Sequence, residues 1–190
     1  MIDPITLIEL TNLKASGQLE TLAAHPGLAM KPEWMEELTR DRRWSARQSL
    51  ASNPALANFP ATIKKLSNDE YPDVRYWLAA NPAISGLPKI IEKLAKDKNP
   101  WVRQALAENP ALVDLPEIAE RLANDKYYYV RLELAQNPAI AYFPEIIEKL
   151  SKDKNKTVRQ AFASSPTIPT RTTSTQQWQA QPVSQKTPTL

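Results

Sequence analysis

The residues of this chain best suited to chemistry are charged and periodic. Arginine recurs at Arg47, Arg75, Arg103, Arg131 and Arg159, and an aspartate stands six residues before each, at Asp41, Asp69, Asp97, Asp125 and Asp153. Within either row, successive members are 28 residues apart. A guanidinium is a planar fork that holds a carboxylate or a phosphate by two points, and neither charge is tolerated in an interior without a partner. Free arginines in a row would bind phosphates. Arginines matched by aspartates make ion pairs instead, within one repeat or with the adjacent one. The second reading is expected for Asp69, Arg75, Asp97, Arg103, Asp125 and Arg131, because the aspartate recurs as faithfully as the arginine.

Other chemistries lack their parts. The chain has no cysteine and one histidine, His25, so a thiolate nucleophile, a disulfide and a zinc site of the usual ligands have nothing to form from. His25 also takes the slot that asparagine holds in the later repeats, which assigns it to helix termination. Gly17, Gly27 and Gly86 are isolated, and an array of glycines is what a phosphate-cradling loop needs. No catalytic residue, metal or cofactor is therefore expected.

A third set of residues breaks the repeat. Trp44, Tyr71, Trp101, Tyr127, Tyr128 and Tyr129 fall at the turn between the two helices of a repeat, where other copies carry Arg43, Asn99, Asn155 and Lys156. Tyr76 and Trp77 replace Gln48, Ser49, Gln104 and Ala105 on the less apolar side of the second helix. Large rings at polar positions are the residue types that dominate binding interfaces. The alternative is that they stack along the array and shield the turns. Trp34, in the slot of Ile90, Ile118 and Ile146, is assigned to the core.

The elements that position these residues follow from proline. Asn-Pro occurs at Asn53-Pro54, Asn81-Pro82, Asn109-Pro110 and Asn137-Pro138, with His25-Pro26 and Ser165-Pro166 in phase. A second series, Pro4, Pro32, Pro60, Pro88, Pro116 and Pro144, keeps the same period. Proline suits the first position of a helix, where no N–H is needed, and it forces the residue before it out of the helical region. In the fourth unit, Pro88 therefore opens a helix A whose Ile90, Ile91 and Leu94 form an apolar stripe. Asn99 caps a helix B, with Val102, Leu106 and Ala107 on one face, and Asn109-Pro110 ends it. Two short helices cannot hide their stripes alone, so units must stack.

Composition agrees. Hydrophobic residues at 42% and charged residues at 24% describe a folded chain, and 17 prolines against 3 glycines favour helix boundaries over sheet turns. The net charge of +3 falls to about +1 over residues 1 to 168 once Arg171 and Lys186 are set aside, which argues against nucleic acid as partner. No apolar run nears the roughly 20 residues of a membrane span. The opening segment has two acids and no basic region, so a cytoplasmic location is expected. Residues 169–190, rich in Thr, Gln and Pro and carrying Trp178, are expected to be a disordered tail.

The motif Pro60, Asp69, Val74, Arg75, repeated as Pro88, Asp97, Val102, Arg103, resembles that of the HEAT-like α-solenoids. Val102-Arg103-Gln-Ala-Leu106-Ala107-Glu-Asn109-Pro110 is closer still to the unit of the leucine-rich repeat variant group of bacterial proteins, and the likeness spans nearly nine tenths of the chain. The units of that group are shorter and open with a 3₁₀ turn, whereas the Ile90-Ile91-x-x-Leu94 stripe favours an α-helix here. The resemblance implies an all-α, right-handed solenoid of about six two-helix repeats over residues 1–168, with a cap unit at about 1–27. It also implies a binding surface. A monomeric protein-binding scaffold is the leading expectation. Nucleic-acid binding through Arg42, Arg43, Lys64, Lys65, Lys126 and Lys154, or a cofactor-handling role like that of HEAT-like bilin lyases, is the alternative.

Overall fold

The computed structural model describes residues 4–164, so the tail at 169–190 and Trp178 lie outside the described residues. Among the described residues the chain is all-α, with no strand. Its helices come in pairs: α1 (Pro4–Ala15) and α2 (Leu19–Ala24), α3 (Pro32–Leu38) and α4 (Trp44–Ala51), α5 (Pro60–Leu66) and α6 (Pro72–Ala80), α7 (Pro88–Ala95) and α8 (Pro100–Glu108), α9 (Pro116–Ala123) and α10 (Tyr128–Gln136), α11 (Pro144–Ser151) and α12 (Lys156–Ser164). Every odd helix from α3 to α11 begins on the second-series proline.

The expectation of two helices per repeat omits a third element. Each Asn-Pro opens a 3₁₀ turn, at Pro54–Asn58, Pro82–Ile84, Pro110–Asp114 and Pro138–Tyr142, and His25 opens another at Pro26–Met30. The cause is local. The asparagine Oδ1 accepts the amide of the residue after proline, at 2.9 Å in all four copies, and proline presets φ. The 3₁₀ turn and the α-helix are thus both present, in succession. The turn at Pro82–Ile84 is shorter than the others because the chain takes φ +78° at Gly86, a conformation open to glycine.

Lateral contacts run between equivalent elements. Each even helix packs on the next even helix, from α2 to α12, and each 3₁₀ turn on the next 3₁₀ turn. Odd helices touch the even helices before and after them in sequence. One continuous core results. Leu78 and Ala79, Leu106 and Ala107, and Leu134 and Ala135 are fully buried along the even row. Leu56, Ile84, Leu112 and Ile140 enter from the 3₁₀ turns, and Ile63, Ile91 and Ile146 from the odd helices. Burying each such leucine or isoleucine stabilises by about 1.5–3 kcal/mol. Ala51, Ala79, Ala107 and Ala135 have no exposed surface, consistent with small residues admitting close helix approach.

Trp34 packs against the core but is only half-buried, at its edge, and the ammonium groups of Lys14 and Lys31 lie 4.7 and 5.4 Å from its ring centroid. The first pair of helices also differs from the rest, since α1 has 12 residues and α2 only six.

Candidate functional site

The charged ladder joins adjacent repeats. Arg47 reaches Asp69, Arg75 reaches Asp97, Arg103 reaches Asp125 and Arg131 reaches Asp153, each by Nε to Oδ2 at 2.5–2.6 Å and Nη2 to Oδ1 at 2.9–3.0 Å. The third nitrogen, Nη1, donates at 2.6 Å to the backbone carbonyl of the aspartate in the arginine's own repeat. Each aspartate Oδ1 also accepts the amide two residues ahead, at Tyr71, Asn99, Tyr127 and Asn155, where the even helix starts. The fork and the cap therefore share one carboxylate.

Burial alone would push the carboxyls of Asp97, Asp125 and Asp153 up. The arginine hydrogen bond, the backbone amide and the guanidinium charges outweigh it and hold all three below the usual carboxylate range. Hydrogen bonds to the aspartates likewise hold Arg47, Arg75, Arg103 and Arg131 above the ordinary arginine value. These arginines are internally engaged, which leaves none of the four as a free phosphate fork. Arg159 keeps the bond to its own repeat, through Nη1 to the carbonyls of Asp153 and Lys154. The ladder position opposite it falls on Gln181, outside the described residues.

Asparagine forms a second ladder. The Nδ2 of Asn109 donates to the carbonyls of Ala79 and Asn81 at 2.8 and 3.1 Å, and Asn53, Asn81 and Asn137 repeat the pattern. His25 stands at the head of this row. Its Nδ1 accepts the Gly27 amide at 3.0 Å, and its carbonyl accepts from Asn53.

The sequence-predicted aromatic residues are exposed in part and paired in part. Trp44 stacks on Tyr71 at 6.2 Å between centroids, with the Arg47 guanidinium 5.4 Å from the Tyr71 ring. Trp101 stacks on Tyr129 at 4.7 Å and 14°, and Tyr127 and Tyr128 flank the same Tyr129 ring at 5.3 and 5.7 Å. Tyr76 meets Trp77 edge-to-face at 5.7 Å. Tyr76 and Tyr129 are half-buried by these contacts, whereas Trp77 and Trp101 remain 41% and 55% exposed. Between α6 and α8, the residues Pro72, Asp73, Tyr76, Trp77, Asn99 and Trp101 line a notch of about 370 Å³.

Sequence reasoning missed the acids on the helices that carry or adjoin these rings, of which Asp73 lines the notch itself. Apart from the ladder arginines, the acidic and basic side chains of α6, α8 and α10 are Asp73, Glu108 and Glu133, all carboxylates. Burial and the nearby Glu133 push the Glu108 carboxyl above its usual value. Gln104 donates its Nε2 to Glu133 at 2.9 Å, while its buried Oε1 has no partner among the described residues. The signal was available in the columns of the repeat. Asp73 shares its column with Ser45, Trp101 and Tyr129, and Glu133 shares one with Ser49, Trp77 and Ala105.

Lysines and one arginine lie instead on odd helices, at Lys64, Lys65, Lys89, Lys93, Arg121 and Lys149. Several are occupied: Lys65 by Glu36, Lys93 by Asn68 and Lys149 by Glu120. Among the described residues, no group of three or more His, Asp or Glu is arranged to hold a metal ion, and no helix is long and apolar enough to cross a membrane. No known protein family, curated protein or solved structure matches this chain.

Proposed function

We propose that the chain is a right-handed α-solenoid of about six repeats, of the HEAT-like, leucine-rich repeat variant type. We infer that it acts as a non-catalytic, monomeric, cytoplasmic scaffold for a protein partner. The observation that carries this reading is the exposure of Trp77 and Trp101 across one notch, at columns where other repeats hold Ser49 and Ser45. An exposed indole loses little side-chain entropy on docking and offers a large apolar area, which makes it an interface anchor. The internal ladders support the same reading, because they engage the polar groups most suited to catalysis in holding repeat to repeat.

A pull-down from a native lysate tests it. The unaltered chain retains a protein partner that the double variant Trp77→Ala, Trp101→Ala does not, with the same circular-dichroism spectrum for both. Retention of the same partners by both forms would remove these residues from the interface.

The nucleic-acid alternative has less support. Of the basic edge, Arg43 is paired with Asp41, Lys65 with Glu36, and Lys126 lies over Tyr127. Affinity for an oligonucleotide that falls steeply between low and moderate salt would restore that alternative.

A further inference from the structure

We propose that the face formed by α6, α8 and α10 binds a cationic segment of a polypeptide, with an arginine or lysine side chain seated in the notch between Trp77 and Trp101. This inference rests on the scaffold reading and specifies the chemistry of its partner.

Three observations converge on a cation. The first is the notch itself. Two indoles and a phenol line it, the carboxylate of Asp73 stands among them, and no basic residue does. Aromatic faces attract a cation through their quadrupole, most strongly for tryptophan, and a carboxylate beside them adds the counter-charge. About 370 Å³ is room for one extended side chain and its adjoining backbone. Trp101 is already supported from below by its stack on Tyr129, and Trp77 by its edge contact with Tyr76. Rings held in place before the ligand arrives lose less freedom on binding.

The second observation lies one repeat further along. Glu108 and Glu133 are close enough to perturb one another, and the Gln104 amide donates to Glu133. That orientation of the amide is the one the carboxylate requires, and it turns Oε1 into a buried acceptor with no donor. The Oε1 is enclosed, but Glu108 is exposed and Glu133 partly so, and an ammonium or guanidinium docked against these two carboxylates would meet acceptors of opposite charge.

The third is the distribution of charge. A chain of net charge +3 has placed only carboxylates among the unladdered charges of α6, α8 and α10, whereas Lys64, Lys65, Lys89, Lys93 and Lys149 lie on odd helices and Lys156 on the terminal α12. A polyanion is repelled by such a face, and a basic segment is drawn to it.

The test uses the full chain and 12-residue Gly/Ser peptides carrying two arginines, two citrullines or two glutamates, followed by tryptophan fluorescence and calorimetry in about 50 mM salt. Citrulline keeps the shape of arginine and removes its charge. The arginine peptide should saturate the protein at least about tenfold more tightly than the citrulline peptide, and the glutamate peptide should not bind. Asp73→Asn and Glu133→Gln should each weaken the arginine peptide by about threefold to tenfold, and Trp77→Ala by more, with unchanged thermal melts. Equal affinity for arginine and citrulline, no binding of any peptide, or indifference to the two carboxylate substitutions overturns the proposal. So does saturation of the same tryptophans by a dT12 oligonucleotide. A lysate partner that depends on Trp77 and Trp101 but persists when the arginine peptide fails leaves the scaffold reading standing and removes this one alone.

Discussion

Arg75 belongs to one repeat and Asp97 to the next, and their side chains close a two-point bond at 2.6 and 3.0 Å across the boundary. The same arginine donates to the backbone carbonyl of Asp69 in its own repeat, so one guanidinium ties three chain segments together. Both partners are nearly removed from water, at 7% and 9% side-chain exposure.

Removing one member of this pair strands the other. Asp97→Ala is expected to cost about 3–5 kcal/mol in urea denaturation, the range for an uncompensated buried charge. Asp41→Ala should cost only about 1 kcal/mol, because Asp41 pairs with the more exposed Arg43 of its own turn and its further contribution is a cap. Similar losses for the two substitutions would contradict the ladder as the source of stability.

The ladder also sets a response to acid. Asp97, Asp125 and Asp153 have folded values below the ordinary one, so their contribution is complete above the unfolded value near 3.8 and is lost as pH falls through the depressed folded values. The stability gap between the unaltered chain and Asp125→Asn should therefore be constant from about pH 8 to pH 5 and narrow below about pH 4. Urea midpoints measured across that range give the answer.

Glu108 has the opposite sign. Its raised value means that ionisation disfavours the folded state once pH exceeds the usual glutamate range. Glu108→Gln should stabilise at pH 7 by less than about 1 kcal/mol, given its exposure, and confer nothing at pH 4. A loss of stability at pH 7 would show that this carboxylate has a favourable partner.

Asn109 distinguishes a shape requirement from a polarity requirement. Its amide donates to two carbonyls of the preceding repeat and accepts one amide of its own. Asn109→Ala leaves the Ala79 carbonyl and the Ala111 amide without these partners, for about 2–4 kcal/mol. Asn109→Asp should cost more despite its near-identical shape, because it turns a carboxylate oxygen against those two carbonyls. Thermal melts of the two variants rank them directly.

Much of the helical organisation was legible from Pro32 to Pro144 and from Asn53 to Asn137, because proline and its preceding residue act on their own backbone without help from distant chain. Asn99 was legible as a cap for the same reason, and it accepts the Trp101 amide at 2.9 Å. The 3₁₀ turn was legible only as an alternative to helix A, and not as a third element beside both helices. Three to five residues are too few for a periodicity to emerge, and the bond that makes each turn is between a side chain and the amide two residues on.

The columns of the repeat by themselves determined that each aspartate has an arginine, that the two series run in step, and that the aromatic residues depart from what most other copies hold at the same place. Tertiary structure decided which aspartate each arginine takes. Asp69 lies six residues before Arg75 and Asp97 lies 22 after it, and only the lateral offset of neighbouring helices brings the second carboxylate to the fork while leaving the first to offer its backbone. It also decided the fate of the rings. Trp101 and Tyr129 share a column, yet Trp101 is the more exposed because three neighbouring rings crowd Tyr129, and exposure is a property of what surrounds a residue rather than of the residue.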